Sequence, residues 1–400
     1  MIVPETIVTT HGMGKERVEP DWPLLTLDEL RTLFTEFTSI GEPAEILSVS
    51  PRPFAAASVV GTGRGRVFVK RHSRTVRDRE GLAEEHRFMA HLLRNGALVP
   101  KVIATSKGET AVEMGNWCYE IHEAVEGIDI YRDALSWTPF FTAAHARSAG
   151  QAMARIHVAS VGYNGPRRQP RPLVSSFTIF ANKNPDAELS RYIEARPALA
   201  EYLHGRSDCS DALELLVPFH AELFPMLPEI ESLWTHNDLH ASNLIWSHSG
   251  WYTRVASVID FGLCDRTNAV HDLALAIERN IIEWIELAEG AEGVPVHFDH
   301  LEALLAGYES VRTLSDVEAA ALAPMLALCH AEYALSEAEY LWGILHSGEK
   351  AQLASDGYLV GHARWFHSQA GERLLSVIRN WAEERTCRDM QFTQQKVGAR

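Results

Sequence analysis

Apolar residues recur at strand and helix spacings through the first quarter of the chain. Strands are predicted at residues 45–48, 57–60 and 66–70, and the third alternates apolar and polar side chains and ends in a lysine. The cluster Gly61, Gly63 and Gly65 predicts the turn before that strand. Residues 84–93 then follow a helical spacing, and residues 99–103 predict another strand.

A second apolar pattern predicts a hairpin in the middle of the chain. Residues 243–246 and 255–259 are short apolar runs joined by a turn through Ser249 and Gly250. In such a hairpin the residue at the entrance lies near the residue after the exit. Asn243 and Asp260 are therefore expected to lie close together, with Asp238 in the loop that leads into the hairpin.

Three polar side chains at this hairpin have the chemistry that phosphoryl transfer requires. That reaction needs a carboxylate near the acceptor hydroxyl and oxygen ligands that hold a divalent ion on the phosphates. Asp238 is the candidate for the first role, and Asn243 and Asp260 are candidates for the second. Each residue alone is more often a turn cap, but their order and spacing together favour a phosphoryl-transfer site.

The remaining pattern predicts one more strand and a helical second half. Residues 117–125 form an apolar strand that ends in an acidic turn, and residues 143–160 have helical spacing. An early helix at 27–37 has Thr26 and Glu29 placed for a capping box. Two late helices, 324–345 and 363–384, carry aromatic and acidic side chains that are either core and surface residues or parts of a pocket: Trp342, Trp365, Trp381, Glu332, Glu337 and Glu339.

The stretch His236-Asn-Asp-Leu-His-Ala-Ser-Asn243, followed by Ile259-Asp-Phe-Gly262, resembles the aminoglycoside phosphotransferase and choline kinase-like family, relatives of the protein kinases. The resemblance implies an α+β, two-lobed, protein-kinase-like fold. Residues 1–126 would form a small β-rich N-terminal lobe that holds the nucleotide phosphates. Residues 127–400 would form a larger, mainly helical lobe with the catalytic loop, the metal site and the acceptor pocket.

The resemblance also implies roles for individual residues. Asp238 would be the catalytic aspartate and Asn243 and Asp260 the Mg²⁺ ligands. His236 and Asp272 would brace the catalytic loop, while the role of His240 is left open. The family usually has Gly where this chain has Asn237, which tolerates a positive φ less readily than Gly.

A kinase-like lobe further requires a lysine on a strand and a glutamate on the next helix to hold it against the phosphates. Lys70 is the lysine, and Glu85 is its expected partner, with Glu84 and Glu80 as alternatives. Glu123 and Val125 would pair with the adenine edge through their backbones. The loop 49–56 would cover the nucleotide, although it lacks a protein-kinase glycine motif.

Composition narrows the class of protein. The formal net charge of −16 argues against a general nucleic-acid binder and is compatible with a cationic acceptor. We expect no membrane span, because no unbroken apolar run approaches the roughly 20 residues needed. The five cysteines have no disulfide or metal spacing, so a cytoplasmic location is expected.

The sequence thus predicts a kinase that transfers the γ-phosphate of ATP, with GTP as the alternative donor, to a hydroxyl of a small molecule. An aminoglycoside-like antibiotic, an amino alcohol or a related metabolite would be the acceptor. The alternatives are a kinase-fold nucleotide-binding protein without catalysis, and a protein kinase. The oligomeric state is left open.

Overall fold

A five-stranded antiparallel sheet forms the N-terminal part of the computed structural model, which describes residues 19–248, 253–288 and 295–398, the last thirteen as backbone only. The strands are β1 (Pro43–Val49), β2 (Ala56–Thr62), β3 (Gly65–Ser73), β4 (Ala111–Met114) and β5 (Trp117–Glu123). They lie in the order β1-β2-β3-β5-β4. Helix α1 (Leu27–Phe34) and helix α2 (Arg79–Arg94) accompany the sheet.

Local sequence signals account for these elements. The Thr26 hydroxyl accepts a hydrogen bond from the Glu29 amide, and the Glu29 carboxylate accepts one from the Thr26 amide, so the predicted capping box starts α1. In the ladder between β3 and β5, Lys70 lies opposite Glu120. Because side chains of paired residues point to the same face of a sheet, this register sets what surrounds the lysine.

The predicted strand at 99–103 is wrong in its extent. Only Val102 forms a β-bridge, to His122, with flanking hydrogen bonds from Ile103 to Ile121 and from Glu123 to Lys101. Pro100 has no N–H group with which to extend the ladder. The segment is therefore attached to β5 without becoming a regular strand.

Helices dominate the chain after residue 140. The described residues contain twelve helices in this part of the chain, and two small antiparallel pairs of strands interrupt them: Ser232–Thr235 with Asp265–Asn268, and Leu244–Trp246 with Val255–Val258. The helices are α3 (Ala143–Ser160), α4 (Pro185–Glu194), α5 (Pro197–Leu203), α6 (Asp208–Leu223), α7 (Ala269–Ile281), α8 (Trp284–Ala288), α9 (Phe298–Glu309), α10 (Asp316–Leu328), α11 (Ala331–Gly343), α12 (Gly348–Gln352), α13 (Gly361–Trp365) and α14 (Gln369–Gly398). Short 3₁₀ turns at Phe224–Glu229 and Ala241–Asn243 and a π-helical stretch at Leu353–Val360 complete the set.

The predicted hairpin is present, as β7 (Leu244–Trp246) paired with β8 (Val255–Val258). The turn predicted at Ser249 and Gly250 lies outside the described residues. A second pair, β6 (Ser232–Thr235) with β9 (Asp265–Asn268), flanks the hairpin. Together the two pairs carry the loops that contain Asp238 and Asp260.

The two late helices predicted from the sequence are each divided. The first splits into α10 and α11 around Cys329 and His330, and the second into α13 and α14. The stretch Asp316–Gly343 has the length and the mean hydropathy, 1.2, of a membrane span, but 94% of its most apolar window is buried inside the protein. Its apolar residues are therefore part of the core.

Close packing of α3 against α9 depends on two glycines. A Cβ atom at Gly150 would lie 2.1 Å from the Leu304 carbonyl oxygen, and one at Gly307 would lie 2.1 Å from that of Arg147. Backbone atoms of the neighbouring helix cannot yield as a flexible side chain would. The two helices can approach this closely only because both positions lack a side chain.

We predict that Gly150→Ala lowers the free energy of unfolding by about 1–3 kcal/mol, the usual cost of overpacking. Gly357→Ala is the control, because a Cβ there would meet nothing within 4 Å, and it should change stability by less than about 0.5 kcal/mol. Urea denaturation of both variants measures the difference. Equal stability of the two variants would refute the packing role of Gly150.

Candidate active site

The loop between β6 and β7 is held by one buried carboxylate. Asp272, in the first turn of α7, accepts hydrogen bonds from the His236 amide at 2.9 Å and the Asn237 amide at 2.8 Å. His157 Nε2 on α3 lies 2.9 Å from the same carboxylate. Asp272 is fully buried, so its negative charge is compensated by these donors and fixes the start of the loop.

Asn237 lies in the left-handed region, with φ of 60°. Its Nδ2 atom donates to the carbonyl oxygens of Ser175 at 3.0 Å and Leu263 at 3.3 Å. Its Oδ1 atom accepts hydrogen bonds from the hydroxyls of Thr235 at 2.8 Å and Thr267 at 3.2 Å. Four hydrogen bonds thus stabilise a conformation that glycine would reach through backbone freedom alone.

Two side chains orient the carboxylate of Asp238. Arg279 Nη1 donates to Asp238 Oδ1, and Asn243 Nδ2 donates to Oδ2 at 3.0 Å. Arg279 is fully buried and lies seven residues after Asp272 on α7, on the same face of that helix. The sequence analysis missed Arg279, and its spacing from Asp272 is the signal that could have revealed it.

The hairpin brings Asp260 beside Asn243, as predicted. The Ile259 amide donates to the Asn243 carbonyl oxygen at 2.9 Å, and Asp260 follows with φ of 60°. Lys70 Nζ lies 2.7 Å from Asp260 Oδ1. Burial alone would raise the pKa of Asp260, but the charge and hydrogen bond of Lys70 outweigh burial and lower that pKa to about 2.

The expected pairing of Lys70 with Glu85 is not formed. Glu85 Oε1 instead lies 3.0 Å from Arg77 Nε and 2.7 Å from Arg168 Nη2. Both arginines also donate to the Gly262 carbonyl oxygen, at 2.8 and 2.9 Å. Two guanidinium groups provide more directed donors than one ammonium, and Arg168 comes from a distant loop that sequence spacing does not connect to Glu85.

The two alternative partners of Lys70 are also engaged elsewhere. Glu84 Oε2 lies 3.3 Å from Arg168 Nε, and Glu80 forms an exposed ion pair with Arg87 at 3.0 Å. Neither glutamate contacts Lys70.

A carboxylate that the sequence analysis missed faces Lys70 from β5. Glu120 lies opposite Lys70 in the ladder, and its oxygens lie 2.9, 2.7 and 2.7 Å from the Nε2 atoms of His72, His86 and His122. Burial opposes ionisation, but hydrogen bonds and charge from these histidines hold the pKa of Glu120 well below its ordinary value. The negative charge of Glu120 therefore adds to that of Asp260 around the lysine.

The predicted adenine-binding residues lie where β5 leaves the sheet. Glu123 is the last residue of β5, and both Glu123 and Val125 line the central cleft. The Glu123 amide donates to the Lys101 carbonyl oxygen at 2.9 Å, and the two side chains form an exposed ion pair at 2.9 Å. That amide is therefore already bonded within the protein, and the role of Val125 in binding adenine stays a prediction.

One cleft of about 370 Å³ collects these groups. A volume of this size is typical of a small-molecule site. Its lining includes every predicted catalytic, nucleotide and metal residue: Lys70, Glu85, Glu123, Val125, Asp238, Asn243 and Asp260. His236 and Asp272 lie behind the loop, where His236 Nε2 bonds to the Ile259 carbonyl oxygen at 3.0 Å.

Acidic residues of α11 do not line the cleft. Glu332 accepts hydrogen bonds from the amides of Thr178 and Ile179, and Glu339 Oε2 lies 3.3 Å from Arg196 Nε. Glu337 is buried deeper in the protein. None of the three late tryptophans lines the cleft; the aromatic residues that do are Tyr333 of α11, Trp137, Phe54, Phe68 and Phe261.

Comparison with known proteins identifies the family. The profile of the phosphotransferase enzyme family matches residues 55–314, which is more than half of the 400 residues. The chain belongs to the phosphotransferase enzyme family. It is therefore a phosphotransferase with an alcohol group as acceptor, as the resemblance of its motifs implied.

Two curated relatives are similar in sequence to most of this chain. Homoserine kinase of Phenylobacterium zucineum (strain HLK1) is 26% identical over 308 residues, covering 76% of this chain and 81% of the relative. Homoserine kinase of Caulobacter vibrioides (strain NA1000 / CB15N) is 25% identical over 302 residues, covering 75% and 83%.

A solved structure, the microcompartment-associated aminopropanol kinase, superposes with a TM-score of 0.56 at 20% identity. The superposition covers 85% of this chain and 98% of that one. At this identity the likeness concerns the fold. It confirms the predicted α+β, two-lobed, kinase-like architecture.

We predict that Asp272→Asn lowers the free energy of unfolding by about 3–5 kcal/mol, because an amide nitrogen would face backbone donors in a buried site. Asp299→Asn is the control, since its side chain is 73% exposed, and it should cost less than about 0.5 kcal/mol. Thermal and chemical denaturation compare the two. If Asp272→Asn unfolds at the same midpoint as the control, Asp272 does not hold the loop.

Proposed function

We propose that the chain is an ATP-dependent kinase that transfers the γ-phosphate to a hydroxyl of a small amine-bearing molecule, with Mg²⁺ as the metal ion. The observation that carries this proposal is the convergence of Asp238, Asn243 and Asp260 in one cleft with Lys70. These are a carboxylate for the acceptor, two oxygen ligands for a metal and a cation for phosphate. The cytoplasmic location expected from the sequence stays a prediction.

The side chains have separable tasks in this reaction. Asp238, held by Arg279 and Asn243, orients the acceptor hydroxyl and takes its proton. The hydroxyl oxygen bonds to the γ-phosphorus as the bond to the bridging oxygen of ADP breaks. Lys70 binds phosphate oxygens, and Glu120 and Asp260 maintain its charge. Positioning of this kind contributes most of the acceleration in phosphoryl transfer.

The donor set fits a hard divalent cation. Asp260 is ionised at neutral pH, because its pKa is about 2. Asn243 uses Nδ2 to bond to Asp238, so the atom that remains for a metal is Oδ1. Mg²⁺ prefers one or two such protein oxygens and completes its coordination with water and phosphate. When bound, the ion would neutralise charge on the phosphate oxygens.

One carboxylate oxygen at the cleft supports an amine on the acceptor. Asp129 lines the cleft, and its Oδ1 atom is buried without a hydrogen-bond partner among the residues that the structure describes. An ammonium group would supply the missing donor. The curated relatives include homoserine kinases, and the fold is similar to that of an aminopropanol kinase, so amino alcohols and hydroxy-amino acids are the acceptors to test first.

The loop between β8 and β9, which contains Asp260 and is called the metal loop below, is followed by a short connection to α7. That short connection argues against a protein kinase. Helix α7 begins at Ala269, seven residues after Gly262, and β9 occupies Asp265–Asn268. A protein kinase requires an activation segment at this point. This connection is filled by a strand and leaves no comparable segment, which favours a small-molecule acceptor.

We predict that Asp238→Asn lowers turnover by at least about 100-fold while nucleotide binding is retained. The protein is incubated with ATP or GTP, Mg²⁺ and a panel of amino alcohols, hydroxy-amino acids, sugars and aminoglycosides, and products are identified by mass spectrometry. Asp186→Asn is the control, since Asp186 is exposed on α4. A product formed equally by both variants would remove Asp238 from its role, and ATP binding without any product would favour the non-catalytic alternative.

We predict that Lys70→Met makes metal binding depend on pH. Without the lysine, burial would raise the pKa of Asp260 above its ordinary 3.8, so protonation would compete with the metal at pH 5 and not at pH 8. The affinity for Mg²⁺–nucleotide, measured by calorimetry and divided by that of the wild type, should be several-fold lower at pH 5 than at pH 8. Lys101→Met, which removes an exposed lysine, should give a ratio independent of pH.

A further inference from the structure

The loop between β1 and β2 covers the cleft but offers few backbone donors to a phosphate. Its sequence is Ser50-Pro-Arg-Pro-Phe-Ala55, and all six residues line the cleft. Pro51 and Pro53 have no N–H group, and the Arg52 amide donates to Ser50 Oγ at 3.3 Å. Three consecutive positions of this loop therefore cannot cradle phosphate through the backbone in the way a glycine-rich loop does.

The side chain between the two prolines is a cation with neutral partners. Arg52 Nη1 donates to the Ser136 hydroxyl at 3.1 Å and the Ala134 carbonyl oxygen at 3.3 Å, and Nη2 lies 3.5 Å from the Tyr131 carbonyl oxygen. A guanidinium has five N–H groups. In the described part of the chain, the Nε–H of Arg52 has no acceptor, and the two N–H groups of Nη2 share one acceptor at 3.5 Å, so the Nε–Nη2 edge retains free donors.

No carboxylate neutralises Arg52 directly. Across residues 19–248, 253–288 and 295–398, no acidic oxygen lies within the 4.0 Å of an ion pair to its guanidinium. Burial, opposed by the charges of Asp129 and Asp260, lowers the pKa of Arg52. A half-buried guanidinium with a free edge is complementary to a phosphate, which accepts two parallel hydrogen bonds from that edge.

Arg52 lies near the groups that handle the transferred phosphate. It interacts electrostatically with Asp260, and burial followed by the charge of Arg52 lowers the pKa of His240 to about 3. His240 is two residues from Asp238, and Asp260 is bonded to Lys70. Arg52, Lys70 and Asp260 all line the cleft, so the loop and β3 each contribute a cation to the same site.

The loop is held in place at both ends, so Arg52 is presented in a fixed position. Trp22 Nε1 donates to the Phe54 carbonyl oxygen at 3.1 Å, and the Phe54 ring packs edge-on against Tyr340 with centroids 5.4 Å apart. At the other end, Arg132 Nη2 donates to the Val49 carbonyl oxygen at 2.9 Å. A preorganised donor loses little conformational entropy when it binds a ligand.

We propose that Arg52 binds the γ-phosphate of the nucleotide through its Nε–Nη2 edge, and so replaces the backbone cradle that the proline-flanked loop lacks. The proposal rests on the proposed function, in which a nucleoside triphosphate is the donor. Arg52 then stabilises the charge of the phosphoryl group during transfer, as a cation supplied from the same chain. It contacts the γ-phosphate and not the α- or β-phosphates.

An acceptor carboxylate is the other anion that such a guanidinium could bind. The position of Arg52 on the nucleotide-covering loop and its interaction with Asp260 favour the phosphate. Nucleotide binding distinguishes these two anions, because the γ-phosphate is present in ATP and absent from ADP, while an acceptor carboxylate is absent from both.

The test is equilibrium binding of ATP and ADP, each with Mg²⁺ and without acceptor, to wild type, Arg52→Ala, Arg52→Lys and Arg94→Ala. Loss of a charged hydrogen-bonding group should weaken ATP binding to Arg52→Ala by about 10- to 100-fold and ADP binding by less than about threefold. Arg52→Lys, which keeps the charge but not the bidentate edge, should fall between. Arg94→Ala removes an exposed arginine at the end of α2 that does not line the cleft, so both of its affinities should be unchanged. Far-ultraviolet circular dichroism verifies that each variant is folded.

Each result of the binding experiment either supports or overturns the proposed role of Arg52. A selective loss for ATP supports the proposal. Equal losses for ATP and ADP in Arg52→Ala would show that Arg52 does not act on the γ-phosphate selectively, and unchanged affinities for both nucleotides would show that it does not bind the nucleotide. Both results overturn the proposal and leave the kinase function intact. A wild type that binds neither ATP nor GTP would overturn the proposed function together with the role of Arg52.

Discussion

The buried carboxylate of Asp272 is the constraint on which the active site depends. Its two oxygens accept the amides of His236 and Asn237 and contact His157, so one side chain joins α3, α7 and the start of the catalytic loop. The same helix carries Arg279, which orients Asp238. Any movement of α7 would therefore displace both the backbone of the loop and its carboxylate, and the close packing of α3 against α9 limits such movement.

Ion pairs connect the sheet with the metal loop at two neighbouring points. Lys70 of β3 bonds to Asp260, and Glu85 of α2 reaches Gly262 through the guanidinium groups of Arg77 and Arg168. Residues from the two parts of the chain thus meet on either side of Phe261. The pairs of Glu85 with Arg77 and Arg168 are buried, so they are screened little by salt, and the loss of one partner would leave an uncompensated charge. The pair of Lys70 with Asp260 is only partly buried.

Local patterns allowed the sequence to predict the hairpin, the capping box, β3 and the convergence of Asn243 with Asp260. Each of these depends on residues close in sequence or on a turn that brings two short strands together. The partners of Glu85 and Lys70 depend on long-range contacts instead. Arg168 is 83 residues from Glu85, and Glu120 faces Lys70 only because of the strand register. Short-range spacing contains no information about either contact, so the expected pair of Lys70 and Glu85 was wrong.

The side chain of Asn237 connects the catalytic loop to the residues around it. Asparagine adopts a positive φ less readily than glycine, but here its side-chain amide has four hydrogen-bond partners: Thr235, Ser175, Leu263 and Thr267. Return to glycine would restore the freedom and leave buried carbonyl and hydroxyl groups without partners. The cost of exchanging Asn237 for glycine is therefore set by hydrogen bonds to residues outside the loop as well as by the backbone conformation of the loop itself.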